Sequence, residues 1–132
     1  MEITEAVVVP VPRHLPGPAH PLLMRVSGEI AAVRGWHEAE GALRRIGHAP
    51  EAKAGGIRDP QVEATTLEWR MPPHDGVIVL IDDVVRTGAT LRACAVAIRA
   101  AGDLRTVVAI AVAAAVSPDA GDGGNDPVVA AL

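Results

Sequence analysis

Apolar positions along this chain switch between strand-length runs and helix-spaced stripes. Ala6-Val7-Val8-Val9 reads as a short buried strand, halted by Pro10-Val11-Pro12. Arg13 to Pro21 follows as a proline-rich loop. From Leu22 to Val33 the apolar residues Leu23, Val26, Ile30 and Val33 fall on one helical face, and Gly35 can end that helix. Ala42 to His48 predicts a strand. Thr65 to Arg70 predicts another, since Thr65, Leu67 and Trp69 alternate with Thr66, Glu68 and Arg70. Ala49 to Ala64, with Gly55-Gly56, Pro50 and Pro60, reads as a loop, and a loop of that length in a small domain is usually a functional lid or disordered. Val77 to Asp83 is a fourth strand, Thr87 to Ala101 a helix stopped by Gly102, and Thr106 to Val116 a final strand. The alternation of strands and helices predicts an α/β fold: one parallel sheet with helices on both faces and a β-hairpin lid. The expected domain spans 1–116. Residues 117–132 form a Gly/Asp-rich tail, expected to be mostly disordered, with Val128 to Leu132 able to dock.

Composition narrows the chemistry. The 132 residues suffice for one core, and 49% of them are hydrophobic, yet there is no Phe and no Tyr. Aliphatic residues and Ala must therefore build the interior. The net charge of −4 and the lack of stacking aromatics argue against direct nucleic-acid binding. A single Cys94 excludes an intrachain disulfide, and its helical spacing with Leu91, Ala95 and Ile98 makes it a core thiol. No Cys/His cluster has zinc spacing. No segment is apolar for long enough to span a bilayer, and the acidic start is unlike a secretory signal, so a cytoplasmic protein is expected. Among the 12 Lys and Arg residues only Lys53 is a lysine.

The richest chemistry lies between Val77 and Thr90. An apolar strand ends in Asp82 and Asp83, and a short turn leads to Thr87-Gly88-Ala89-Thr90 at a helix start. Unpaired N–H groups and the positive dipole end of a helix favour an anion. Ionised carboxylates can only accept hydrogen bonds, which suits sugar hydroxyls, and they also suit a divalent metal. A ribose 5-phosphate group satisfies both halves. Helix capping by Thr87 would explain one threonine, but not two adjacent carboxylates whose repulsion needs a reason.

These residues resemble the PRPP-binding signature of type I phosphoribosyltransferases: acid-Asp-x-x-x-Thr-Gly-x-Thr after an apolar strand, matched at every fixed position from Asp82 to Thr90. The resemblance implies a phosphoribosyltransferase that uses PRPP and Mg²⁺, moves a 5-phosphoribosyl group to a nitrogen base or amine, and releases pyrophosphate. By the same resemblance, Asp82 and Asp83 hold the ribose hydroxyls and act in catalysis, with Mg²⁺ reached through PRPP or water. Arg86, Thr87, Gly88, Ala89 and Thr90 surround the 5-phosphate. The Pro-Val-Pro turn after the first strand is similar to the competence-associated ComF-type branch. That branch usually continues with Arg-Gly-x-Asn, whereas this chain runs His14-Leu15-Pro16-Gly17. Pro10 and Pro12 remove backbone donors, so pyrophosphate contact falls on Arg13. Lys53 and Arg58 lie in the expected lid, where closure would bring positive charge over the leaving group and exclude water.

Arg86 stands where many 6-oxopurine enzymes of the family carry Asp. Arginine stays protonated and cannot act as a general base, which argues against hypoxanthine or guanine. Arg44 and Arg45 must point to opposite faces of their strand, so at most one can face the site. The five histidines show no catalytic spacing and read as surface residues, and Trp36 and Trp69 read as anchors of the core or hairpin. A different class of function stays open beside transfer: a non-catalytic PRPP- or nucleotide-binding regulatory module, as in competence or DNA uptake. The oligomeric state is open too, a homodimer included.

Overall fold

A computed structural model describes residues 2–50, 59–85, 88–114 and 128–131, with the backbone alone at 84–85, 113–114 and 128–131. Its elements in chain order are β1 (Ala6–Pro10), α1 (Pro21–Arg34), β2 (His37–Glu38), β3 (Leu43–Arg45), α2 (Pro60–Ala64), β4 (Leu67–Trp69), β5 (Val77–Val85), α3 (Ala89–Ala100), β6 (Val107–Ala114) and β7 (Val128–Ala131). Five strands form one sheet in the order β2-β1-β5-β6-β7, and β3 and β4 form a separate antiparallel pair. Strands β2, β1, β5 and β6 run parallel, the arrangement the sequence predicts for the sheet, although His37–Glu38 lies in no expected strand. The fifth differs: Val128–Ala131 docks antiparallel on β6, with Ala111 opposite Val128 and Val108 opposite Ala131. Part of the expected tail therefore belongs to the sheet.

Apart from Asp82 and Asp83 of β5, the central strands are apolar because both of their faces are covered. Side chains alternate across a strand, so Val7, Val9, Ile78, Leu80, Val107 and Ala109 face one way and pack with Leu91, Cys94 and Ile98 of α3 and with Leu43, Leu67 and Trp69 of the hairpin. Ala6, Val8, Val79, Ile81 and Val108 face the other way, against Leu23 and Ala31 of α1. Burying each large aliphatic side chain is worth about 1.5–3 kcal/mol, and these strands supply that stabilisation without any Phe or Tyr. Trp69 fills the hairpin side, 6% exposed, with its indole N–H donating to Asp103 at 3.0 Å. The α1 stripe shifts slightly from the expected one. Ser27 and Ala31 sit on its buried face, whereas Val33 is 85% exposed.

Two local signals shape the rest. Gly76 before β5 has φ +106°, and a Cβ there would lie 2.4 Å from the Glu5 carbonyl oxygen, so only glycine fits. Helix α2 occupies the end of the stretch expected to be loop. Asp59 caps it through the Gln61 N–H at 2.9 Å, and Pro60 opens its first turn. The first part of the expected lid, with Lys53 and Arg58, lies outside the described residues. Among the described residues no helix is long and apolar enough to cross a membrane.

Candidate functional site

Strand lengths create the site. Pairing of β1 with β5 stops at Pro10 opposite Ile81, while β6 stays paired with β5 as far as Val85 opposite Ala114. The last bond on the β1 side is from the Val11 N–H to the Ile81 carbonyl at 2.9 Å. Beyond it, Asp82 and Asp83 project where their neighbour has ended. This is the carboxyl end of a parallel sheet, where crevices form in open α/β folds.

The opening is a cleft of about 400 Å³ lined by the loop from Val11 to Leu15, by His20 and Leu23 of the α1 start, and by Asp82, Asp83 and Thr90. Four of the residues singled out in the sequence, Arg13, Asp82, Asp83 and Thr90, thus meet in one place. Gly88 and Ala89 lie at the start of α3, with Gly88 in the left-handed conformation at φ 76° and bearing no side chain that could fill the approach to the first turn. Arg86 and Thr87 lie outside the described residues, as do Lys53 and Arg58.

Neighbouring residues on a strand point to opposite faces, and the two carboxylates differ accordingly. Asp83 is exposed. Asp82 is half-buried toward α3, and its Oδ1 accepts the Asp83 N–H at 2.8 Å. Burial raises the Asp82 carboxyl to about 7, and the adjoining Asp83 and the nearby charge of Glu63 add to the rise, while the Asp83 N–H opposes it. Cys94, wholly buried behind it, is pushed well above its ordinary value by the same desolvation.

Behind the cleft lies a polar network that sequence reasoning missed. Arg45 is 3% exposed and Glu63 is fully buried, and they form an ion pair at 3.3 Å between Nη2 and Oε1. Arg44, its neighbour, is exposed, so the two arginines do take opposite faces. Arg45 also donates through Nε to the Arg13 carbonyl at 2.8 Å and through Nη1 to Thr66 Oγ1 at 2.6 Å. The Thr90 hydroxyl donates to Glu63 Oε1 at 3.2 Å. Glu63 Oε2 is buried without a hydrogen-bond partner. The Asp59-Pro60 pair, a helix-start signal, could have placed Glu63 on a helix, but nothing local marks either residue as buried.

The histidines add two contacts that spacing along the chain did not suggest. His20 caps α1 by accepting the Leu22 N–H at 3.1 Å, and the rings of His37 and His74 stack with centroids 3.8 Å apart. Comparison with models of known protein families, with curated proteins and with solved structures finds no match to this chain.

Proposed function

We propose that the chain is a PRPP-dependent phosphoribosyltransferase. The observation that carries this reading is the meeting of Asp82, Asp83, Thr90 and Arg13 around one cleft at the carboxyl end of β5, beyond the point where β1 stops. In this reading Asp82 and Asp83 accept hydrogen bonds from the ribose hydroxyls, and their charge favours the positive character that develops at the anomeric carbon. The start of α3 receives the 5-phosphate through backbone N–H groups and the helix dipole. Arg13, from the loop after β1, meets the pyrophosphate, and the expected lid closes over it. The arrangement acts mainly through positioning and electrostatics.

The donor chemistry fits Mg²⁺. Two carboxylates offer hard oxygen ligands, and this ion commonly takes one or two carboxylates together with substrate phosphates. Asp82 and Asp83 would hold it through PRPP or water, and when bound it would neutralise charge building on the departing pyrophosphate. The acceptor is a nitrogen base or amine, with Arg86 arguing against 6-oxopurines.

A second reading, PRPP binding without transfer, draws support from the loop after β1. Pro10 and Pro12 cannot donate there, and the Arg-Gly-x-Asn element is replaced by His14-Leu15-Pro16-Gly17. Calorimetric titration of PRPP with Mg²⁺ tests the shared site. Each lost charge-assisted hydrogen bond is worth about 1.5–3 kcal/mol, so Asp82→Asn with Asp83→Asn should weaken binding on the order of a hundredfold or more. Unchanged affinity in that double variant would sink the assignment. A pyrophosphate-release screen across purine and pyrimidine bases and ammonia separates the readings: release with any acceptor supports transfer, and binding without release supports the regulatory module.

A further inference from the structure

We propose that Arg45 is a positioning residue that sets both anion-contacting edges of the cleft from one buried point. The inference deepens the phosphoribosyl reading and rests on it. One edge is the loop after β1, where Nε of Arg45 holds the Arg13 carbonyl at 2.8 Å. The other is the first turn of α3, where Thr90 Oγ1 reaches Glu63 Oε1 at 3.2 Å, the same oxygen that Arg45 Nη2 meets at 3.3 Å. The two edges are joined through residues of β3 and α2, which themselves line none of the cleft.

The geometry suits arginine and no other cation. Its planar fork sends Nε, Nη1 and Nη2 to three different acceptors: the Arg13 carbonyl, Thr66 Oγ1 and Glu63 Oε1. Thr66 is fixed in turn, its hydroxyl donating to the Glu63 carbonyl at 2.7 Å. Further backbone bonds hold the same loop to the hairpin: the Ala49 N–H donates to the His14 carbonyl at 2.8 Å, and Gly17 bridges Arg45. Stability alone is a poor reason for such a pair, because apolar residues of similar volume often replace a buried ion pair at no loss. Direction is what they could not supply. The Thr90 hydroxyl has one proton and spends it on Glu63, so Thr90 acts as the tie that orients the helix start, and the 5-phosphate is met by backbone N–H groups.

The test compares wild type with Arg45→Met/Glu63→Leu, which removes both charges together, and with Arg45→Lys, which keeps the charge but loses the fork. Thermal unfolding establishes that each variant is folded, and Arg45→Lys carries the comparison alone if the double variant is not. Hydrogen exchange should show faster amide exchange confined to residues 11–15 and 88–92, with β1, β5 and β6 protected as in wild type. Affinity for ribose 5-phosphate and for pyrophosphate with Mg²⁺ should each fall at least tenfold. A merely structural role would lower the unfolding midpoint and leave both affinities at the wild-type value. Wild-type protection at 11–15 and 88–92 in a folded variant overturns the proposal. Failure of the wild type to bind PRPP would instead refute the phosphoribosyl reading, and the exchange measurement would still decide the role of Arg45.

Discussion

Asp82→Asn should stabilise the protein at neutral pH while removing its proposed ligand. The Asp82 carboxyl moves from an ordinary value near 3.8 to about 7, chiefly because burial disfavours its charge. Its folded value thus lies above its unfolded value. Between roughly pH 4 and 7 the native state holds a proton that the unfolded chain releases, so stability falls as pH rises through this window and levels off above it. A tenfold change in proton affinity is worth about 1.4 kcal/mol, so the displacement of Asp82 sets an upper bound of about 4 kcal/mol. Asp82 borders an open cleft, so an effect on the order of 2–4 kcal/mol is expected. Asparagine is neutral throughout and carries no such penalty. Urea denaturation of both proteins from pH 4 to pH 8 should therefore show a difference near zero at the acid end that grows in favour of the variant. A difference independent of pH, or a wild type more stable at pH 8, would refute the reasoning. In the wild type, binding of PRPP with Mg²⁺ needs ionised Asp82 and should release protons near pH 7.

Arg45→Met alone leaves Glu63 buried without its counter-charge and should cost about 3–5 kcal/mol in urea unfolding, most of it recovered when Glu63→Leu is added. Gly76→Ala forces a Cβ against the Glu5 carbonyl at a positive φ and should lower stability by at least about 2 kcal/mol, measured the same way. Asp103 is held at about 2 by the Arg105 guanidinium and the Trp69 N–H, so its contribution is present above pH 4 and lost as pH falls toward 2. Asp103→Asn should cost about 1–2 kcal/mol at pH 7 and flatten that acid limb of the stability curve. Cys94 is buried with its thiol held protonated, so a thiol reagent should label it no faster than the protein unfolds. Rapid labelling of the native protein would contradict the core packing described above.

What the sequence determined by itself was local or periodic. Apolar runs rich in β-branched residues made β1, β5 and β6 legible as doubly covered strands, and the stripe from Leu91 to Ile98 made α3 legible. The tandem Asp82-Asp83 and the threonines after them marked the site because their residue types are wrong for a core and right for a ligand. Edges were harder to see. Strand β2 has two residues, too few to carry a pattern, and Val128 to Leu132 read only as a segment able to dock, with nothing local to set its antiparallel pairing on β6. Only the tertiary structure decided how far β5 runs past β1, which opens the cleft that Arg13, Asp82 and Asp83 line. It alone joined Arg45 on β3, Glu63 on α2 and Thr90 on α3, since a buried ion pair depends on distances in space that spacing along the chain does not encode. The raised Asp82 carboxyl has the same origin. Burial, which the fold imposes, accounts for the largest part of the rise, and its neighbour in sequence adds a smaller one.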